Sequence, residues 1–240
     1  MAGDMKLVSA ADGFAMGAYH AEARVDERQS RRRGGLVLLQ EIFGVNANIR
    51  ALADSFAADG FDVIAPSMYD RTEPGFQAGY DDEGFQKALA AAGATDWDLA
   101  MGDIQAAIDA LEGPVFVAGF CWGGTATWLA AARCRGITAA SAFYGHAIKG
   151  FLDEKPQVPI ILHYGDRDPF VHPEDVDAID KGLPDIRVFR YEAGHGFFSD
   201  RAAVMGGGAD RFVNGYDADA SALARRRTLQ FFENYDAVPD

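Results

Sequence analysis

The chain has 240 residues, 49% of them hydrophobic, and its 22 basic and 36 acidic residues give a net charge of −14. This acidity disfavours nucleic-acid binding, and no stretch reaches the roughly 18 apolar residues that cross a bilayer. The first residues lack a secretory pattern, and two cysteines make neither a disulfide framework nor a zinc cluster, so we expect a cytoplasmic protein without a metal.

The first part of the chain predicts a hairpin followed by alternating strands and helices. Residues 5–25 alternate weakly between apolar and polar side chains around Asp12-Gly13, a pair typical of hairpin turns. Uninterrupted apolar runs at 36–40 and 61–65 predict strands that are buried on both faces. The segment 46–59 between them predicts a helix.

The rest of the chain continues this alternation. Turn-forming residues make 67–84 a long loop, and helical patterns follow over 85–111. Further strands are predicted at 114–120, 137–144, 159–164 and 186–191, and further helices at 125–133, 175–181 and 221–235. This order predicts one α/β domain over residues 1–240, with a mostly parallel central sheet and helices on both faces. Ligands of such sheets bind beyond the carboxyl ends of the strands.

The strongest functional signal is the segment Gly119-Phe120-Cys121-Trp122-Gly123-Gly124, between a predicted strand and a predicted helix. This is the strand–turn–helix context of a nucleophile elbow, with Cys in place of Ser. Glycines at the flanking positions let the helix and the strand approach closely around a strained nucleophile. The alternative is a buried and inert cysteine in a Gly-rich turn, which is how we interpret Cys134.

A nucleophile needs a base, and the base needs an orienting group. His195 lies between two glycines after the last predicted strand, and Asp168 follows the strand before it. The order Cys121, Asp168, His195 is the nucleophile–acid–histidine order of α/β-hydrolases, so we predict a catalytic triad. His146 follows another strand and is a weaker candidate for the pocket, whereas His163 lies within a strand and is interpreted as a core residue.

The sequence resembles the dienelactone hydrolase family (carboxymethylenebutenolidases). The matching segments are residues 40–46 (Gln-Glu-Ile-Phe-Gly-Val-Asn), 119–124, 165–171, 194–197 and the tail 216–232. The Cys elbow and the Glu-Ile-Phe-Gly segment are specific to the family, while the Asp and His loops occur across the wider superfamily. The resemblance implies an α/β-hydrolase fold.

The resemblance also implies roles for individual residues. Cys121 would be the nucleophile, His195 the general base and acid, and Asp168 the group that orients the histidine. The backbone N–H groups of Ile42 and Trp122 would form the oxyanion hole. No metal or organic cofactor is implied.

A further role falls on Glu41, which the resemblance places beside the Cys121 thiol. A nearby His195 imidazolium would raise the thiolate fraction, whereas a nearby carboxylate would lower it by like-charge repulsion. We therefore expect Glu41 to keep the resting thiol protonated until a substrate displaces the carboxylate.

The sequence departs from the family at the residues that bind the substrate. Relatives acting on dienelactones hold the substrate carboxylate with two arginines, and the corresponding positions read Gly84 and Ser199. Arg71, Arg201 and Arg211 are candidate substitutes from nearby loops, the alternative being that they are surface residues. The expected pocket residues are Phe43, Tyr144, Phe197, Arg71 and Arg201.

These observations predict a hydrolase that cleaves a small-molecule ester or lactone through an acyl thioester, as a monomer or weak dimer. Without the two arginines, neutral substrates are expected to react better than carboxylated dienelactones. Within enzymes, the alternative is a thioesterase or general carboxylesterase on the same scaffold. From a different class, the alternative is a non-catalytic binding or redox-sensing protein that keeps the fold.

Overall fold

The computed structural model describes residues 2–25, 32–201 and 215–236. The strands in these ranges are β1 (Ala2–Val8), β2 (Ala15–Ala21), β3 (Gly34–Leu39), β4 (Phe61–Pro66), β5 (Val115–Phe120), β6 (Ile137–Phe143), β7 (Ile160–Gly165) and β8 (Arg187–Tyr191). The α-helices are α1 (Ala47–Ala58), α2 (Asp82–Gly93), α3 (Trp97–Asp109), α4 (Trp122–Arg133), α5 (Pro173–Gly182) and α6 (Ala218–Glu233). A short 3-10 helix spans Ile148–Phe151.

The eight strands form one sheet in the order β1-β2-β4-β3-β5-β6-β7-β8. The predicted opening hairpin is confirmed, since β1 and β2 pair antiparallel and the Ser9 N–H donates to the Phe14 carbonyl across the turn at 2.8 Å. Gly13 takes a φ of 77° there, a conformation that glycine adopts without strain. Strands β3 to β8 are parallel, so their carboxyl ends lie at one edge of the sheet.

Helices cover both faces of the sheet, which confirms the predicted α/β-hydrolase class. Side chains alternate along β3, so that Val37 and Leu39 pack in the core cluster beneath α3 and α4. Leu36 and Leu38 face the opposite cluster, which includes residues of α1 and α6. Among the described helices, none combines the length and the apolar character that a membrane span requires.

Polar caps set helix boundaries that the apolar pattern misses. The predicted helical stretch over 85–111 is two helices, because Asp96 caps the second one by accepting the Leu99 N–H at 3.1 Å. The first helix begins three residues before its predicted start, since the Asp81 carboxylate accepts the Gly84 N–H at 2.7 Å. Its early turns therefore approach the carboxyl edge of the sheet.

Candidate active site

A cavity of about 270 Å³ opens at the carboxyl edge of the parallel strands. Its described lining residues are Glu41, Ile42, Phe43, Phe85, Leu89, Cys121, His146, Phe170, His195 and Arg201. Glu41 follows β3, Cys121 follows β5 and His195 follows β8, so residues far apart in the sequence meet here. We call this space the site cavity.

Cys121 occupies a strained turn between β5 and α4. Its φ of 56° and ψ of −115° are unusual for a residue with a side chain. Its backbone N–H donates to the Phe143 carbonyl at 3.0 Å, which ties the turn to the neighbouring strand β6. Helix α4 begins at the next residue, Trp122, three residues earlier than predicted. The half-buried thiol therefore sits at the start of a helix and faces the site cavity.

Close packing explains the glycines around Cys121. A Cβ atom on Gly119 would lie 2.1 Å from the Gly123 carbonyl oxygen, and one on Gly123 would lie 2.4 Å from the carbonyl oxygens of Leu39 and Gln40. Real Cβ atoms essentially never approach backbone so closely. The predicted reason for glycine at these positions, a close approach of helix and strand, is confirmed.

His195 is held by Asp168 inside the same edge of the sheet. The His195 Nδ1 lies 2.7 Å from the Asp168 Oδ2, and both side chains are buried. The other carboxylate oxygen of Asp168 accepts the N–H groups of Phe170 and Val171 at 2.7 and 3.1 Å. These bonds fix the carboxylate, and a bond from Nδ1–H to it leaves the histidine Nε2 for the cysteine.

Aromatic rings fix the orientation of the His195 imidazole. The Tyr144 ring packs edge-on against it with centroids 4.9 Å apart, and the Phe170 ring does so at 5.0 Å. The neighbouring carboxylate of the loop, Asp166, pairs instead with Arg190 at 2.6 Å. Of the two aspartates in this loop, the structure therefore brings Asp168 to the histidine.

The thiol of Cys121 and the imidazole of His195 form a charge-stabilised pair. Burial opposes ionisation of the thiol, but the positive charge and hydrogen bonds of His195, together with His146, outweigh it and lower the pKa of Cys121 to about 6. Burial also disfavours the imidazolium, yet the thiolate charge and the Asp168 hydrogen bond raise the pKa of His195 to about 10. Both shifts favour the ionised forms of these two side chains, thiolate and imidazolium.

Glu41 lies in the site cavity, where a guanidinium compensates its charge. Arg201 donates to both of its carboxylate oxygens, with Nε 3.1 Å from Oε2, and both side chains are at most 2% exposed. The Tyr80 hydroxyl and the Asn48 amide also donate to Oε2, at 3.3 and 3.4 Å. The two imidazoles lower the pKa of Cys121, and the expectation that Glu41 keeps the resting thiol protonated stays a prediction.

Three residues expected in the pocket lie elsewhere. Arg71 pairs with Asp12 and Asp103, each at 2.8 Å, and is outside the site cavity because these carboxylates hold its guanidinium. Tyr144 is fully buried behind the His195 ring, and Phe197 is fully buried in the core, so neither lines the cavity. The other two expected residues, Phe43 and Arg201, do line it.

The two positions that correspond to the family's substrate-binding arginines are Gly84 and Ser199, and both are closely packed. A Cβ on Gly84 would lie 2.2 Å from the Gly79 carbonyl oxygen, so a larger residue there requires the backbone to move. Ser199 is 1% exposed. Arg211 lies outside the described residues.

Sequence reasoning missed the apolar half of the cavity. Phe85 and Leu89 stand four residues apart on α2, a spacing that puts them on one helix face and that was readable in the sequence. Phe170 lies in the matched loop after β7 and remains 45% exposed, although it is a large apolar side chain. His146, a weaker candidate, lines the cavity as well.

Comparisons with known proteins agree with this architecture. The sequence model described as the dienelactone hydrolase family matches residues 17–236. A carboxymethylenebutenolidase of Pseudomonas putida is 32% identical over 209 residues, which are 82% of this chain and 84% of the relative. The same name is given to a protein of Pseudomonas knackmussii with the same identity and coverage.

Solved structures of low identity share the fold. A Klebsiella pneumoniae protein, provisionally assigned as a dienelactone hydrolase, superposes with a TM-score of 0.76 at 24% identity, covering 98% of this chain and 100% of that one. A dienelactone hydrolase-like promiscuous phosphotriesterase from metagenomic libraries gives 0.69 at 24% identity, with 98% of both chains covered. A Xanthomonas campestris α/β serine hydrolase without a lid gives 0.66 at 14% identity, covering 99% and 97%.

Proposed function

Because the chain belongs to the dienelactone hydrolase family, we propose that it hydrolyses small-molecule esters or lactones through Cys121, His195 and Asp168. The observation that carries this proposal is the chain of contacts at the carboxyl edge of the sheet. Cys121 and His195 line the same cavity, the imidazole lowers the pKa of the thiol, and the His195 Nδ1 lies 2.7 Å from the Asp168 carboxylate. A nucleophile, a base and an orienting group thus meet at one cavity.

Acylation begins with attack of the Cys121 thiolate on the carbonyl carbon of the ester. The carbonyl electron pair moves to oxygen, and the resulting tetrahedral oxyanion collapses to a thioester as the C–O bond breaks. The His195 imidazolium gives its proton to the departing alkoxide, and Asp168 holds the ring in the orientation this transfer needs. For a lactone, the leaving hydroxyl stays attached to the acyl group.

Two backbone N–H groups are suited to the oxyanion. Trp122 is the first residue of α4, where N–H groups have no acceptor within the helix. Ile42 lines the cavity from the loop after β3. Their N–H groups, with the positive end of the α4 dipole, would stabilise the negative oxygen.

Deacylation returns the enzyme to its resting state. Neutral His195 takes a proton from water, whose oxygen adds to the thioester carbonyl. The tetrahedral intermediate collapses, the C–S bond breaks with its electron pair going to sulfur, and the acid leaves. Thiolate and imidazolium are regenerated, so one water is consumed for each ester or lactone bond.

The lining of the cavity favours an uncharged substrate. Phe43, Phe85 and Phe170 present apolar surface opposite the thiol. The guanidinium of Arg201 is already bound by Glu41. Neutral acyl or aryl groups therefore fit the cavity better than a carboxylate does, which separates this proposal from a dienelactone substrate.

A turnover assay with chromogenic aryl acetates tests the function. Cys121→Ala is expected to lower kcat by about 10³ or more, because the nucleophile is lost while other contributions remain. Cys134→Ala is the matched control and should keep kcat within a few-fold, since that thiol is buried and burial raises its pKa to about 11. Undiminished activity in Cys121→Ala, or no turnover of any ester or thioester by the parent protein, would contradict the proposal.

A further inference from the structure

The turn after β6 brings a second imidazole into the cavity that the Cys121 thiol lines. Its backbone is anchored, because the Tyr144 N–H donates to the His163 carbonyl at 2.7 Å and the Tyr164 hydroxyl donates to the Gly145 carbonyl at 3.2 Å. Tyr144 itself takes a φ of 39°, a strained value for a residue with a side chain. The next side chain along this turn is His146.

The same turn is docked on the first turn of α4. The Ala147 N–H donates to the Thr125 Oγ1 at 3.2 Å, and a Cβ on Gly145 would lie 2.9 Å from the Thr125 nitrogen. Cys121 is tied to this strand end through Phe143, as described above. The turn and the elbow therefore form one packed unit, which holds the backbone of His146 close to the elbow.

The result is a thiol between two imidazoles. His146 and His195 both line the site cavity together with Cys121, and both imidazoles lower the pKa of its thiol. They differ in environment, since His195 is 8% exposed and bound to Asp168, whereas His146 is exposed to solvent. His195 is therefore suited to exchanging a proton with the Cys121 sulfur, and His146 is suited to staying close to that sulfur throughout the reaction.

We infer that His146 is a further catalytic residue, whose imidazole donates an N–H hydrogen bond to the Cys121 thiolate. This inference rests on the proposed function, in which Cys121 is the nucleophile. The proton of the thiol resides on His195, and His146 takes no part in its transfer. When the C–S bond of the acyl intermediate breaks, the electron pair goes to a sulfur that already has a donor in place, so the thiolate is a better leaving group.

Other charged groups around the thiol do not supply this donor. Glu41 and Arg201 face the cavity and bind each other. Tyr69 and Tyr144 interact electrostatically with the thiol from neighbouring elements, but neither of their buried hydroxyl groups is hydrogen-bonded to it. On the segment of His146 itself, the Lys149 ammonium pairs with Asp175.

The test is the pH dependence of Cys121 alkylation by iodoacetamide in the Cys134→Ala protein, followed by mass spectrometry. His146→Phe is expected to raise the pH midpoint by about one unit, or tenfold in thiolate fraction, because a hydrogen bond to a charged group is lost. His146→Gln keeps an N–H donor and should recover part of the shift. His172→Phe, at an exposed histidine outside the cavity, should leave the midpoint unchanged.

A second variant, His146→Ala, keeps the inference testable if His146→Phe does not fold. His146→Ala only removes atoms at an exposed position, so its midpoint reads the same loss of a donor with little risk to the fold. An unchanged midpoint in both His146→Phe and His146→Ala, with thermal unfolding like that of the parent, overturns the inference. Because alkylation needs no ester turnover, a shifted midpoint in a protein that hydrolyses no ester would leave the His146 contact standing and reject the proposed function.

Discussion

Glu41 and Arg201 are 160 positions apart in the sequence, yet the Arg201 guanidinium binds both carboxylate oxygens of Glu41 within the site cavity. Both side chains are almost completely buried. Removing one partner of such a pair leaves an uncompensated buried charge, which costs more than the pair contributes. The pair therefore places two mutually compensating charges in the cavity that Cys121 also lines.

The first prediction concerns Glu41→Gln. The substitution leaves the positive charge of Arg201 uncompensated near Cys121, so the pKa of the thiol should fall further below its usual value. In the Cys134→Ala protein, iodoacetamide labelling should show a lower pH midpoint than in the parent. An unchanged or raised midpoint would mean that the pair lies beyond electrostatic reach of the sulfur.

The stability of the same variant supplies the control. Glu41→Gln should lower the free energy of unfolding by about 3–5 kcal/mol in urea titrations, since a buried guanidinium loses its partner. The double variant Glu41→Gln/Arg201→Gln should recover much of this loss and restore the alkylation midpoint. Glu112→Gln, at an exposed acidic residue, should change neither quantity.

The second prediction separates the two aspartates of the loop after β7. Asp168→Asn should lower kcat by about 10³–10⁴, because an amide in place of the carboxylate favours the wrong imidazole tautomer. Asp166→Asn should leave kcat within a few-fold, since that carboxylate pairs with Arg190. Steady-state assays on an aryl acetate measure both effects, and equal losses would refute the assignment of Asp168.

The third prediction concerns substrate charge. Between two lactones that differ only as carboxylate and methyl ester, the neutral one should have the higher kcat/KM by about 10²-fold. Burying a carboxylate without a counter-charge costs several kcal/mol, and each ~1.4 kcal/mol is a factor of ten. Measurements at low and high salt separate the local effect from the repulsion by the net charge of −14. A preference for the anion would indicate that Arg201 or Arg211 binds substrate.

The fourth prediction uses the buried imidazole of His163. Its Nδ1 lies 2.8 Å from the Tyr191 hydroxyl and its Nε2 3.2 Å from the Thr228 hydroxyl, between stacked aromatic rings. Burial disfavours the charged ring and lowers the pKa of His163 to about 3. The unfolded state takes up a proton near pH 6.5 that the native state refuses, so His163 reduces stability as pH falls from 6.5 towards 3.

The corresponding experiment compares urea unfolding of the parent and His163→Gln at pH 7.5 and pH 5. The difference in unfolding free energy between the two proteins should change by about 2 kcal/mol in favour of the variant at pH 5. His20→Gln is the control, because this histidine is partly exposed and pairs with Asp62. A pH-independent difference for His163→Gln would contradict the assigned cause.

Local sequence patterns predicted most of the fold, and they predicted that Cys121, Asp168 and His195 follow the carboxyl ends of parallel strands. Apolar runs, the hairpin turn and the Gly-rich elbow are read within a few neighbouring residues, and the structure has them where they were expected. The fate of Arg71 was not readable in this way, because Asp12 and Asp103, which hold it, come from distant segments. Tyr144 and Phe197 were wrongly expected in the pocket for a related reason, since an aromatic side chain on a loop after a strand can point into the core or into a cavity.

The order of the strands in the sheet has a consequence for when the site assembles during refolding. The thiol follows β5 in the middle of the sheet, whereas its imidazole partner follows β8 at the edge. The site is therefore built from contacts between distant parts of the chain. Such contacts form slowly, because closing the long intervening loop costs conformational entropy before the contact stabilises it. In a refolding experiment we therefore expect fast alkylation of Cys121 at neutral pH to reappear later than the helix and strand signals.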